Sequence, residues 1–267
     1  MRRYCTSTFV FQVNISAPKH RIQVQQSSKL EGARSLINLC VVPASVLEED
    51  ISKILLDSLV FHSLVGVDGI TLYSSGLPGS VITTAEKLMK ETSVVISVST
   101  WSNPLEVNSS VIESLVSTDC YYRSKDKFDN FAVINSKQVL IPLTTNTLKD
   151  TFKDLSKTGS LKKGPNRLTV KRFCSEYPQE KRAKNLAVPI TQLEYTQYNK
   201  QLSQESRTIV SLAGEESDVT SQAVGDVLSI NEYRDCDNDD MEDKDTVYEP
   251  NALRFFSELV KHHSKYV

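Results

Sequence analysis

The stretch that decides the fold lies between Asp119 and Pro142 of the 267-residue chain. It opens with a Cys-aromatic-Arg segment, DCYYR (119–123), and after a spacer reaches an apolar run, FAVI (131–134). Four polar residues follow, NSKQ (135–138), which we call the polar step, and an apolar segment then ends at a proline, VLIP (139–142). A short continuous apolar run with polar residues on both sides predicts a buried strand. The polar step is therefore predicted to follow directly on the end of that strand.

Similar apolar runs alternate with helical periodicities through the first half of the chain. Continuous apolar runs predict buried strands, and apolar residues spaced three or four apart predict helices. Strands are predicted over 35–43, 69–73, 93–101 and 130–134, and helices over 47–64, 81–91, 104–115 and 147–155. This alternation predicts an α/β fold with a largely parallel sheet flanked by helices.

The carboxy-terminal part of the chain is less regular. We predict an edge strand over 168–173, short strands over 208–212 and 224–230, a solvated acidic loop over 235–245 and an amphipathic helix over 251–266. Residues 1–33 are polar and lack a sustained period. We therefore predict an amino-terminal arm or stem over 1–33 and a single domain over 34–267.

Composition argues against two classes of partner. The net charge is −2 with 24% charged residues, and this lacks the basic excess that marks nucleic-acid-binding proteins. No window reaches about 18 uninterrupted apolar residues, so no transmembrane helix is predicted. The apolar part of the first residues is also too short for a secretory signal.

The five cysteines are widely spaced and form no Cys-x-x-Cys pair, which argues against a zinc ribbon or a redox motif. They suit either long-range disulfides or buried free thiols, depending on the compartment. Two Asn-x-Ser triplets, at Asn14 and Asn108, are acceptor sequences for N-glycosylation and favour the secretory pathway. These residues alone leave both alternatives open.

A basic stretch over residues 162–172 contains three lysines and two arginines. Such a run predicts either a solvated edge or a surface that contacts a glycan or a phosphate group.

Six segments are distributed along the chain in a recognisable order. They are LCVVP (39–43), GVDGITLY (66–73), DCYYR (119–123), VI with VLIP (133–142), FCSEY (173–177) and YRDC (233–236). Together they resemble glycosyltransferase family 92. The resemblance implies a GT-A fold, a Rossmann-like sheet whose crevice binds a nucleotide sugar. It also implies galactosyl transfer from a UDP-sugar to a glycan acceptor in the Golgi or secretory-pathway lumen, by proteins with a membrane anchor that this chain does not show.

In that family the polar step carries an Asp-x-Asp-Glu motif that binds Mn²⁺. The corresponding residues here are Asn135, Lys137 and Gln138. Neutral amides bind divalent cations weakly and a lysine repels them, so no metal cofactor is expected at this step. The resemblance places these three residues at the nucleotide-sugar site. Lys137 then either replaces the metal as a point cation on the diphosphate or reflects drift in a site that is no longer used.

A second family motif, His-Tyr-Arg, falls on Glu232, Tyr233 and Arg234. The resemblance implies nucleotide-sugar binding by Tyr233 and Arg234, and Glu232 is the candidate catalytic base. It also implies luminal disulfides among four cysteines, with the pairing left open: Cys40, Cys120, Cys174 and Cys236.

Two hypotheses of different class follow. In the first, the chain is a metal-independent glycosyltransferase that uses a UDP-sugar and a glycan acceptor. In the second, it is a catalytically inactive relative that acts as a glycan- or protein-binding domain.

Overall fold

The computed structural model describes residues 36–42, 50–74, 76–100, 109–161, 163–174, 186, 190–200, 206–212, 222–234 and 246–266. The strands within these residues are β1 Ile37–Val42, β2 Gly69–Ser74, β3 Val95–Thr100, β4 Asn130–Asn135, β5 Gln138–Pro142, β6 Gly164–Cys174, β7 Gln197–Asn199, β8 Ser206–Ser211, β9 Leu228–Arg234 and β10 Thr246–Tyr248. The helices are α1 Asp50–Leu64, α2 Gly79–Glu91, α3 Ser109–Ser124, α4 Leu148–Lys157, α5 Thr191–Glu194, α6 Gln222–Gly225 and α7 Phe256–Tyr266, with a 3₁₀ helix, Asn251–Phe255, before α7.

Four parallel strands form the first half of the main sheet, in the order β3-β2-β1-β4. Every residue of β1 and β2 is buried, as expected for parallel strands that are covered on both faces. The predicted α/β fold with a mostly parallel central sheet and flanking helices is confirmed.

The main sheet continues beyond β4 through two further strands. β8 is antiparallel to β4, and β6 is antiparallel to β8, so β6 again runs in the direction of β4. The second half of β6 also belongs to a smaller sheet, in which it pairs with β9 and β7 while β9 pairs with β5 and β7 with β10. β6 therefore joins the two sheets, and its pairing passes from β8 to β9 between Thr169 and Val170.

Apolar clusters lie on both faces of the main sheet. Leu39 and Val41 of β1 belong to the larger cluster, and Cys40 and Val42 belong to a smaller one beneath α3. This division follows from the strand geometry, because successive side chains point to opposite faces. No helix within the described residues is long and apolar enough to cross a membrane.

Three segments depart from the sequence predictions. The helix predicted over 104–115 is described from Ser109 to Ser124, so DCYYR forms its last turns. β6 pairs with three strands and is no edge strand. The strand predicted over 224–230 begins only at Leu228, because α6 precedes it. The predicted arm over 1–33 and the acidic loop lie outside the described residues.

Helix α1 is buried from Leu55 to His62, and its polar side chains there need partners inside the core. Asp57 is 1% exposed. One of its carboxylate oxygens lies 2.8 Å from Nε2 of His263, and the other accepts from the backbone N–H and hydroxyl of Thr191. This carboxylate thus holds α5 and α7 against α1.

His62 connects α1 to β5 as a neutral imidazole. Its Nε2 accepts from the backbone N–H of Leu140 over 3.0 Å, so this nitrogen carries no proton. Its Nδ1 lies 3.2 Å from the hydroxyl of Ser58. Complete burial lowers the pKa of His62 to about 3, and a hydrogen bond to the backbone of Ser58 raises it only in part.

The buried neutral His62 makes the fold sensitive to acid. Its folded pKa of about 3 lies below the unfolded value of 6.5, so the stabilisation is complete above pH 6.5 and is lost as the pH falls from there towards 3. The free energy of unfolding is expected to fall by about 1.4 kcal/mol per pH unit in this window from His62 alone. The free energy of unfolding, measured by urea denaturation between pH 7 and 4.5, should fall less steeply with pH for His62→Gln than for wild type. An equal dependence on pH in the two proteins would contradict this account.

A disulfide joins Cys40 of β1 to Cys120 of α3, with Cα atoms 6.1 Å apart. Both cysteines are fully buried in the smaller apolar cluster. Cys174 also forms a disulfide, and Cys236 lies outside the described residues. The bond between Cys40 and Cys120 therefore fixes α3 on the sheet and gives one of the pairings that the sequence left open.

Removal of this disulfide is expected to weaken the fold without rearranging it. Cys40→Ala with Cys120→Ala should lower the free energy of unfolding by roughly 2–4 kcal/mol, chiefly because the unfolded chain loses a constraint. Urea unfolding followed by circular dichroism measures the change. Alkylation without reductant provides the check, since modification of Cys40 or Cys120 in denatured wild-type protein would show that the bond is absent.

Candidate functional site

The carboxyl ends of β1 and β4 form the topological switch point of the sheet. From β1 the strand order runs to β2 and β3 on one side and to β4 on the other. Ligands of open α/β sheets bind in the crevice outside the strand ends at such a point. The register places Val42, the last residue of β1, beside Asn135, the last residue of β4. The polar step thus begins at this crevice.

The polar step is a tight turn that its own side chains close. The backbone N–H of Asn135 donates to Oε1 of Gln138 over 3.1 Å, and that of Lys137 donates to Oδ1 of Asn135 over 2.9 Å. Side-chain oxygens that accept from nearby backbone N–H groups stabilise a particular turn conformation. The two amides therefore position Ser136 and Lys137 between β4 and β5.

Glu232 on β9 is the centre of the hydrogen-bond network beside this turn. Its Oε1 accepts from Nδ2 of Asn135 over 3.0 Å and from Nε2 of Gln138 over 3.4 Å. Its Oε2 accepts from Nε of Arg172 over 2.9 Å. Glu232 is 6% exposed, and a buried carboxylate needs such partners. We call Asn135, Gln138, Arg172 and Glu232 the Glu232 cluster.

The strand register explains why this cluster forms. Gln138 lies opposite Glu232 across β5 and β9, and Arg172 lies opposite Glu232 across β6 and β9. Residues directly opposite each other on neighbouring strands project from the same face of the sheet and interact. Three strands that are distant in the chain thus place an amide, a carboxylate and a guanidinium in one row.

A second ion pair extends the network to α3. Nε of Arg207, on β8, donates to Oε1 of Gln138 over 3.2 Å. The same guanidinium donates to Glu113 of α3 over 2.7 Å. The charges of the network are therefore balanced, with one arginine for each carboxylate.

The residues of the polar step do not fit a manganese ion. The amide oxygens of Asn135 and Gln138 already accept backbone N–H groups, and Gln138 also accepts from Arg207. The neighbouring carboxylate, Glu232, is paired with Arg172. Divalent cations such as Mg²⁺ or Mn²⁺ require carboxylate oxygens that are available for coordination. We therefore derive no step through a metal at this site.

Two buried polar atoms beside the cluster have no hydrogen-bond partner among the described residues. They are Oγ of Ser136 and Nε of Arg234. The backbone N–H of Tyr233 donates to the carbonyl of Lys137 over 3.0 Å, and the same antiparallel register continued by one residue places Ser136 opposite Arg234. A buried donor without a partner costs roughly 1–3 kcal/mol, so these two donors are available to an acceptor oxygen.

Tyr233, which the resemblance assigned to nucleotide-sugar binding, lies in the hydrophobic core instead. It is 1% exposed, and its ring centroid lies 5.3 Å from that of Phe173 and 6.1 Å from that of Tyr195. Burial raises the pKa of its phenol. Successive residues of a strand face opposite sides, so Tyr233 points away from the face that carries Glu232 and Arg234.

The remaining predicted residues divide into two groups. Asn135, Gln138 and Glu232 are in direct contact, and Lys137 and Arg234 flank them on the turn and on β9. The predicted glycosylation sites, Asn14 and Asn108, lie outside the described residues.

Sequence reasoning missed three residues of this network, Arg172, Arg207 and Glu113, and also Ser136 beside it. Arg172 belongs to the basic stretch. The one available signal for its orientation was its spacing of two residues from Val170 along β6, which places both on the same face of the strand. Ser136 lies within the polar step but had no assigned role. Arg207 and Glu113 carried no local signal, because β8 and α3 bring them together from positions 94 residues apart.

Comparisons with known proteins give limited likenesses. No protein-family model and no curated protein matches the chain, so membership of glycosyltransferase family 92 stays a prediction. A crystal structure of S. aureus TarS is 14% identical at a TM-score of 0.36, over 67% of this chain and 28% of that one. TarS 1–349 gives the same identity and TM-score over 86% and 65%. A UDP-glucose pyrophosphorylase complexed with UDP-glucose is 11% identical at 0.32, over 86% and 99%. The chain spans less than two thirds of either TarS chain.

Glu232 is expected to stabilise the fold chiefly by neutralising Arg172. Glu232→Ala removes the carboxylate that faces the partly buried guanidinium of Arg172 and should lower the free energy of unfolding by about 3 kcal/mol. Replacing both residues by leucine should cost clearly less, because the two charges are then removed together. Urea unfolding of the two variants and wild type measures the difference.

The exposed pair of Asp154 and Lys157 provides a matched control. Asp154→Ala should change the free energy of unfolding by less than about 1 kcal/mol. If the double leucine variant were as unstable as Glu232→Ala, Glu232 would not stabilise the fold through its pairing with Arg172.

Proposed function

We propose that the crevice beside the polar step binds the diphosphate of a nucleotide sugar without a metal ion, in a protein of the glycosyltransferase type. The observation that carries this proposal is the pair of unpartnered buried atoms, Oγ of Ser136 and Nε of Arg234, at the switch point of the sheet. Ligand binding at a switch point is the rule for open α/β sheets.

The chemistry of the two atoms favours an anionic ligand rich in oxygen. Arg234 can only donate hydrogen bonds, and a serine hydroxyl donates one. A diphosphate offers several acceptor oxygens, and a guanidinium binds phosphate oxygens through parallel N–H groups. One phosphate group between Ser136 and Arg234 would satisfy both donors.

The charge balance of the surroundings supports the same ligand. Glu232 and Glu113 are each neutralised by an arginine, so they do not cancel the charge of Arg234. Lys137 on the turn adds a second cation, in the role that the sequence assigned to it. Two cations beside a diphosphate supply the positive charge that a metal ion supplies elsewhere.

The finer features of the proposal come from the family resemblance. They are a UDP-hexose donor with galactose as the sugar, a glycan acceptor, and a place in the Golgi or secretory-pathway lumen. The disulfide between Cys40 and Cys120 supports that compartment, because such bonds persist where the environment is oxidising.

A second candidate function is nucleotide-sugar or glycan binding without transfer. The observation that favours it is the engagement of Glu232, the candidate catalytic base. Both of its oxygens accept hydrogen bonds, and one faces Arg172. A general base must contact the proton that it removes, and this carboxylate is committed to the fold.

Titration calorimetry with UDP and UDP-galactose tests the proposal. We expect binding of equal affinity with chelator and with manganese, because the cations belong to the chain. Arg234→Gln should weaken binding about tenfold or more, the size of a charge-assisted hydrogen bond. Lys153→Gln, at an exposed position of α4, is the matched control and should bind as wild type does.

Binding that requires manganese, or no binding in either condition, would overturn the proposal. The same samples separate the two candidate functions. Release of UDP from UDP-galactose in the presence of glycan acceptors supports transfer, and binding without release supports the second candidate.

A further inference from the structure

A polar groove lies beside β6, away from the crevice. Its lining includes Arg167, Thr169 and Lys171 of β6, Ser206 of β8, Ser229 of β9 and Asp226 directly after α6. Its volume is about 430 Å³, which lies within the usual range for small-molecule sites, roughly 300–1,000 Å³. The groove is located where β6 passes from β8 to β9, at Thr169 and Val170.

The polar side chains that β6 contributes to the groove lie on the opposite face of the strand from Arg172, although Leu168 also lines the groove. Arg167, Thr169 and Lys171 are two residues apart and share one face, and Arg172, which pairs with Glu232, belongs to the other. Successive side chains of a strand point to opposite faces of a sheet. A ligand in the groove would therefore not contact the cluster through these side chains.

The groove carries equal numbers of positive and negative side chains, and some of them are not in ion pairs. The ammonium of Lys171 is paired with Glu249 at 2.6 Å and lies 5.5 Å from the ring centroid of Tyr198. Arg167 and Asp226 are exposed and line the same groove. Neither has an ion-pair partner within the described residues, and they do not pair with each other. With two cations and two carboxylates, the site has no net attraction for an anion.

Hydroxyl groups complete the lining between the charged residues. Thr169 and Ser206 are direct neighbours across β6 and β8. Ser229 donates its hydroxyl proton to Oδ1 of Asn231 over 2.8 Å, so its oxygen remains an acceptor. The groove thus presents donors and acceptors side by side, with one guanidinium and one carboxylate among them.

We propose that this groove binds a neutral saccharide unit. Sugar hydroxyls both donate and accept hydrogen bonds, so neighbouring hydroxyls can accept from the Arg167 guanidinium and donate to the Asp226 carboxylate, each of which presents two atoms in a plane. A phosphate or sulfate would meet Asp226 as a like charge. The basic stretch predicted either a solvated edge or contact with a glycan or phosphate, and for Arg167 this proposal favours the glycan. Arg172, from the same stretch, belongs to the Glu232 cluster. The proposal is independent of nucleotide binding in the crevice.

Ligand-observed and ¹⁵N-detected NMR titrations test this site on the whole chain. The probes are methyl β-D-galactopyranoside, methyl α-D-glucopyranoside and inorganic sulfate. We expect at least one glycoside to bind and sulfate not to bind. Arg167→Gln and Asp226→Asn should each weaken glycoside binding about fivefold or more, the effect of one lost hydrogen bond. Lys163→Gln, an exposed lysine just before β6, should leave it unchanged.

Three results would overturn the proposal: sulfate binding in place of glycoside binding, no binding of either glycoside, or glycoside binding that survives both substitutions. The affinity for UDP, measured on the same variants, distinguishes the groove from the crevice, because Arg167→Gln and Asp226→Asn should leave it unchanged. Loss of glycoside binding in Arg234→Gln alone would locate the saccharide in the crevice and would also overturn the groove.

Discussion

The pairing of the Glu232 carboxylate with Arg172 is the interaction on which the candidate site depends. It neutralises a carboxylate that the fold buries, and it does so across two strands in register. The amides of Asn135 and Gln138 use the same carboxylate to hold the polar step. Both oxygens of Glu232 are therefore already engaged within the fold. In the proposed function, the ligand is instead bound by the donors beside it, Ser136 and Arg234.

A similar constraint acts inside the larger apolar cluster. Helix α1 is buried along most of its length, so its polar side chains must be satisfied by other elements. Asp57 binds His263 and Thr191, and His62 binds the backbone of β5. These contacts connect α5, α7 and β5 to α1. The site and the core are thus both organised around buried polar groups that have particular partners.

Strand β6 separates two surfaces of different chemistry. Arg172 on one face belongs to the charge-balanced cluster beside the crevice, and Arg167 on the other face lines the polar groove. The sequence placed both arginines in one basic stretch and had no means to divide them. The division follows from the alternation of side chains along the strand, once its pairing with β8 and β9 is known.

The sequence predicted the alternating first half well, because continuous apolar runs such as 37–42 and 131–134 and helical periodicities are local signals. It predicted less well where a segment depends on distant partners. DCYYR belongs to α3, because Val116 and Cys120 of this helix pack against the sheet in the smaller apolar cluster. β6 is an interior strand because three others pair with it. Tyr233 was assigned to the site by resemblance, and its position in the core follows from the register of β9.

The amino-acid sequence by itself determined the α/β class, the position of the polar step directly after β4, and the neutral and cationic character of that step. Those properties depend on residue types and their spacing, which are readable along the chain. Only the tertiary structure decided which of the polar residues meet. The network centred on Glu232 combines residues from five strands and α3. The long-range pairing of those strands is a property of the folded sheet, which no local pattern encodes.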